Sequence, residues 1–186
     1  MPDEILIAAD HAGYELKEKL EAQLQTMGYN VRDLGTNSLD STDYPDYAHP
    51  LAKAVSTGRA KRGVLVCGTG LGMSYVANRY PNVRAAVTWS PEIAQLARSH
   101  NDANVLVLPS RFVTDDQAAE ILKRWLETPF DGGRHERRVV KIESEKQDLK
   151  ADVSAGMNGD AKKARKAKPG KAKSKKGKAT KAKKKR

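Results

Sequence analysis

Short apolar runs alternate with amphipathic stretches along the first 150 residues. A run of four or five apolar residues, too short for a helix, reads as a strand buried on both faces. A helix crossing between two such strands leaves them parallel. Ile5 to Ala9, Val64 to Cys67, Ala85 to Thr88 and Val105 to Leu108 are largely such runs, and Val31 to Leu34, interrupted by Arg32 and Asp33, reads as the remaining one of five strands. Tyr14, Leu16, Leu20, Leu24 and Met27 recur at helical steps, so residues 12 to 27 are expected as a helix stopped by Gly28. Pro45 and Pro91 stand where helices begin, their fixed φ suiting a first turn. Ala118, Ile121, Leu122, Trp125 and Leu126 mark a fifth helix over 115 to 127. Residues 137 to 150 read as a last helix or an arm lying on a partner. The expectation is an α/β chain: one doubly wound, Rossmann-like domain over residues 1 to 150. Its five-stranded parallel sheet takes the common order 2-1-3-4-5, with helices on both faces.

Charge divides the chain. Of 34 Lys and Arg, fifteen fall in residues 151 to 186 beside two of the 23 acids, so the tail carries +13 and the body −2. The tail is Lys, Ala and Gly with no aromatic residue, and is expected to be disordered because it has too little apolar surface to offset its ordering entropy. Such a tail suits weak, nonspecific contact with nucleic acid through phosphates, without base stacking. A single cysteine rules out disulfides within the chain. No signal peptide or membrane span is read at the start, and the expected location is the cytoplasm, with no membrane partner.

In an open α/β sheet, ligands bind beyond the carboxyl ends of the strands, where the strand order reverses. Strand one ends in Asp10-His11 and strand three in Cys67-Gly68-Thr69-Gly70-Leu71-Gly72. The glycine turn is neither a dinucleotide fingerprint, which belongs after the first strand, nor a P-loop, since Gly72 is followed by Met73 and Ser74. It can be a nest of backbone N–H groups for a phosphate or oxyanion, or simply a tight strand-to-helix turn. Cys67 can likewise be a small buried hydrophobe, or a thiol whose pKa is lowered at a helix start and made reactive. His11, His49, His100 and His135 each begin as structural residues. Arg134 and Arg138, four apart, can clamp a phosphate or form a solvated face. No H-x-x-x-H or C-x-x-C spacing supports a metal.

Seven segments occur together in order: Ala9-Asp10-His11-Ala12-Gly13, Thr42-Asp43-Tyr44-Pro45, Cys67-Gly68-Thr69-Gly70, Ala77-Asn78-Arg79, Ser99-His100-Asn101-Asp102, Asn104-Val105-Leu106 and Gly132-Gly133-Arg134-His135. In this the chain resembles the type B ribose-5-phosphate isomerases, a family that includes the galactose-6-phosphate isomerase subunits, across residues 4 to 148. The resemblance implies an aldose–ketose isomerase without metal or cofactor, interconverting ribose 5-phosphate and ribulose 5-phosphate through an enediolate in the pentose phosphate pathway. It implies Cys67 as the base, His100 assisting ring opening, and Thr69 shuttling protons at the sugar oxygens. Backbone N–H groups of Gly68, Gly70, Leu71 and Gly72 hold the enediolate. Asp10, His11, Tyr44 and Asn101 contact the sugar phosphate, and Arg111, Arg134 and Arg138 neutralise the phosphate. A branch without the cysteine carries a glutamate base at the position of Met73, so Cys67 places this chain in the cysteine branch. The resemblance further implies a homodimer, or a tetramer, with the His100 region and some arginines supplied by the other subunit and residues 139 to 150 tying the subunits. Allose or galactose 6-phosphate is the alternative substrate. A nucleic-acid-associated protein acting through its tail is the alternative of another class.

Overall fold

The computed structural model describes residues 4–144. The basic segment 151–186, and with it the boundary expected near residue 150, lies outside the described residues. Ten elements alternate: β1 (Glu4–Ala9), α1 (Tyr14–Thr26), β2 (Asn30–Asp33), α2 (Tyr44–Ser56), β3 (Arg62–Cys67), α3 (Leu71–Ala77), β4 (Ala85–Val87), α4 (Pro91–Asn101), β5 (Val105–Pro109) and α5 (Asp115–Glu127). Residues 134–144 are helical as well and are called α6, which begins three residues before the expected arm.

The sheet is parallel throughout, as expected of βαβ units. Its order is β2-β1-β3-β5-β4 rather than 2-1-3-4-5, so the last two strands exchange places. Burial explains the exchange. All five residues of β5 are buried, whereas the three residues of β4 are only half-buried. A central parallel strand is covered on both faces and takes the continuous apolar run; the short strand is left for the edge. Between β1 and β3 the order reverses as expected, and the carboxyl ends of those strands lie side by side.

Alternation along the strands divides the core into two layers. Ile5, Ile7, Val64, Val66, Leu106 and Leu108 pack with α1, α4 and α5. Leu6, Ala8, Leu65, Cys67, Val105 and Val107 face α2 and α3. Pro91 heads α4 as expected, and side-chain caps not read from the sequence complete the starts of α4 and α5. Pro91 follows the Ser90 cap, whose Oγ accepts from the Ile93 amide. Thr114 and Gln117 form a reciprocal capping box at α5. Trp125 on α5 is fully buried and its indole N–H donates to the Ala103 carbonyl at 3.1 Å. Trp125→Ala is expected to cost about 3–5 kcal/mol, read as a lower urea midpoint at an unchanged slope.

Lys17 is also fully buried, paired with Asp33 and, at 2.9 Å, with Glu18. Burial pulls its pKa down, but the two carboxylates outweigh burial and the net direction is up. The ammonium thus stays charged inside the fold and ties α1 to the end of β2. Among the described residues no helix is long and apolar enough to cross a membrane.

Candidate active site

Three strand ends build one crevice. The Asp10 amide donates to Val66 O at 3.3 Å, and Asp10 Oδ1 accepts from the Gly13 amide at 3.1 Å. A Cβ on Gly13 would lie 2.4 Å from Val66 O, so only glycine lets the Asp10-His11 turn approach β3 this closely. His11 Nδ1 accepts from the Thr42 amide at 3.2 Å, which leaves the proton of the neutral ring on Nε2. Thr42 opens the Thr42-Asp43-Tyr44-Pro45 segment but was not among the residues expected to act. A backbone donor reaching across 31 positions has no signature in sequence.

Cys67 ends β3 and is 4 % exposed. Its Sγ accepts from the Gly70 amide at 3.1 Å, and the amides of Met73 and Thr69 also favour the thiolate. The nest expected from the glycines therefore encircles the sulfur itself. Gly70 sits at φ +75°, with Val87 Cγ1 3.0 Å from where a Cβ would stand. The Tyr44 ring lies over Gly72, 2.7 Å from its missing Cβ, and the Arg111 guanidinium lies over Gly68, with Nε 3.1 Å from that glycine's missing Cβ. Exposed Thr69 accepts through Oγ1 from the Leu71 amide at 3.3 Å. Ser110 clips this end together, its amide donating to Cys67 O at 2.9 Å and its hydroxyl to Ala12 O at 2.7 Å.

One expectation is corrected. A helix start lowers a thiol pKa, yet Cys67 is raised above its ordinary value. Burial of the thiolate is the largest influence, the Asp10 carboxylate adds to it, and the three backbone amides offset only part.

His100, Asn101, Arg134 and Arg138 are elsewhere. In a parallel sheet α4 starts at the carboxyl end of β4 and finishes at the amino end of β5. The helix is eleven residues, about 16 Å, long. His100 and Asn101 on its last turn therefore sit at the end of the sheet opposite Cys67. The Asp131 amide donates to Ser99 O at 3.0 Å and brings the start of α6 to the same place. There the His100 and His135 rings stack, with centroids 4.2 Å apart and planes 8° from parallel. Asn101 lines a cavity of about 380 Å³ with Asn78, Arg84 and Ile142. A larger one of about 580 Å³, between Arg32, His49, Lys53 and Tyr80, holds none of the expected residues. One chain thus carries two groups: Asp10, His11, Tyr44, Cys67 to Gly72 and Arg111 at one end, His100, Asn101, Arg134 and Arg138 at the other.

A family model described as Ribose/Galactose Isomerase matches residues 5–142, nearly the whole described chain. The chain belongs to the ribose/galactose isomerase family. Among the isomerases it matches is the ribose-5-phosphate isomerase B of Escherichia coli, 45% identical over 138 residues, which cover 74% of this chain and 93% of that one. A ribose 5-phosphate isomerase structure from Thermotoga maritima superposes with a TM-score of 0.74 at 52% identity, covering 76% of this chain and 98% of that one. The isomerase B of Mycoplasma genitalium, solved with bound ribulose-5-phosphate, superposes at 0.77 and 44% identity, covering 79% and 98%.

Proposed function

We propose that this isomerase interconverts ribose 5-phosphate and ribulose 5-phosphate, with Cys67 as the carbon base and no metal. The observation that carries the reading is the buried thiol ringed by backbone amides beside Asp10 and His11. On the open-chain aldose, the Cys67 thiolate takes the proton from C2, and the electron pair passes to the carbonyl as an enediolate. The same sulfur returns the proton to C1, while Thr69 moves the hydroxyl proton between O1 and O2. Amides of the Gly68–Gly72 turn that do not already bond the Cys67 sulfur or Thr69 Oγ1 hold charge that exists only after proton removal, where such donors contribute most to rate. A raised thiol pKa makes the thiolate scarcer near neutrality but a stronger base once formed, as abstraction from carbon requires.

The pH dependence follows from that direction. Only the thiolate works, so below the Cys67 pKa kcat/KM is expected to rise about tenfold per pH unit and to keep rising above pH 7. Because Cys67 is the chain's single cysteine, the pH dependence of iodoacetamide alkylation reads the same group independently. An alkylation midpoint well below 7 would remove this explanation.

The phosphate would be met by Arg111, His11, Arg134 and Arg138, and ring opening assisted by His100. These lie in two groups at opposite ends of one chain, so the reading requires a second copy to supply the His100 group to the Cys67 crevice. Exposed Leu71, Tyr75, Trp89 and Phe112 around that crevice offer the apolar surface a second copy would cover. Residues 139–144 of the expected tying arm are helical, with Val140 and Ile142 exposed; 145–150 lie outside the described residues. Cys67, Thr69 and His100 together favour the five-carbon substrate. The deciding test compares turnover of ribose 5-phosphate with that of allose and galactose 6-phosphates, each with and without EDTA. A higher kcat/KM on either six-carbon substrate overturns the pentose assignment, and loss of turnover in EDTA overturns the metal-free mechanism.

The +13 charge of residues 151 to 186 supports a second, separate property: weak, nonspecific binding to nucleic acid in the cytoplasm. Removing 151–186 is expected to leave isomerase turnover unchanged and to abolish salt-sensitive retention of duplex DNA and RNA on filters. A truncated protein that loses most of its turnover would show the tail to be part of the enzyme.

A further inference from the structure

His135 is absent from the residues expected to act, yet its ring stacks on that of His100. We infer that His135 is a positioning residue that sets the His100 imidazole for ring opening and aims Arg134 at the phosphate. The inference deepens the reading above and rests on it for the role of His100.

The geometry starts with two glycines. Gly132 and Gly133 both have positive φ, +65° and +55°, and turn the chain back so that α6 begins against the last turn of α4. The His135 amide closes this turn on Gly132 O at 3.0 Å, and the Asp131 amide bonds Ser99 O, next to His100. The backbone under both rings is therefore fixed. His135 is buried and His100 half-buried, and the near-parallel stack at 4.2 Å means that His100 cannot turn about its ring axis without losing that face. Arg134 Nε donates to His135 Nε2 at 3.3 Å, so that nitrogen keeps its lone pair and the neutral ring carries its proton on Nδ1. One imidazole thereby touches a group meant for the sugar ring and another meant for the phosphate.

The charge around His135 keeps it neutral. Burial lowers its pKa first, then the nearby His100, Arg134 and Arg138, with Asp131 alone opposing. His100, Asp131 and His135 also bring one donor atom each within 4.8 Å of one another. Parallel rings, however, direct their lone pairs side by side rather than at a common centre, and Arg134 already occupies Nε2 of His135. The arrangement suits orientation rather than metal capture.

The substrate pair supplies a test. Ribose 5-phosphate is largely a furanose and must open, whereas ribulose 5-phosphate, its O5 blocked by phosphate, is always open-chain. His135→Ala is expected to lower kcat from ribose 5-phosphate on the order of tenfold to a hundredfold. It should leave exchange of the ribulose 5-phosphate C1 proton with D2O, followed by NMR at saturating substrate, within about twofold of native. His135→Phe keeps the flat face without the nitrogen, so kcat should recover while KM stays raised through the loosened Arg134. Thermal melts of both variants establish that they are folded. If His135→Ala slows both reactions alike, or neither, or if His135→Phe is no better than His135→Ala, the positioning role is overturned. His100→Ala run alongside separates the two claims. Should it spare turnover from the furanose, the role of His100 fails; should it alone lose that turnover while His135→Ala keeps it, only the present inference fails.

Discussion

Cys67→Ala is expected to lower ribose 5-phosphate turnover by a factor on the order of 10²–10⁴ or more, the usual contribution of a positioned general base. On the proposed mechanism the loss should appear in kcat, with the sulfur assigned to the proton transfer and the arginines and His11 to the phosphate. Met73, at the far side of the turn, is fully buried and carries no ionisable group that could stand in for the thiolate. Removing one sulfur from a small site should cost only about 1 kcal/mol of stability, so a folded, inactive protein is the anticipated product. Cys67→Ser keeps the size and a donor but is far less acidic, and should behave like alanine. A serine variant with near-native turnover would mean that the thiolate is not the base.

Mixing two inactive proteins should restore activity. If two copies assemble the site, the His100→Ala and Cys67→Ala proteins each lack one group in every site when alone. After unfolding and refolding together, random pairing makes half the dimers mixed. Each mixed dimer has one site with both defects and one with none, so about a quarter of native turnover should return. If the complete site lay within one chain, no pairing could repair either defect and the mixture would stay inactive. The large size of the expected gain, from near zero, makes the result independent of small differences in stability.

How much of this was legible before the structure depends on what kind of interaction is involved. Strand and helix positions follow from local periodicity, and α5 begins and ends where its apolar face predicts, at 115 and 127. The places of β4 and β5 depend on which strand is buried on both faces, a comparison that neither run makes alone. At the site, residue types and spacing placed Asp10, His11 and the Cys67 turn together. They could not give the direction of the Cys67 pKa, since the helix-start effect is visible in sequence and the burial opposing it is not. In the sequence His135 is one structural histidine among four. Two adjacent glycines before it were the available signal, because consecutive positive φ angles announce a reversal that must bring something back against α4.

The exchanged strands also bear on how the chain is made. Strands β2, β1 and β3 can pair as soon as residue 67 exists, but β4 has only β5 as a strand neighbour. A chain synthesised from its amino end therefore holds β4 and α4 without a strand partner until Pro109 emerges, and then fills the middle of the sheet and its edge in one step. Birth order and spatial order run opposite over this half of the molecule. The second half of the sheet consequently closes late and all at once, and a released fragment ending between residues 88 and 109 would have at most the β2-β1-β3 sheet, with β3 as an open edge.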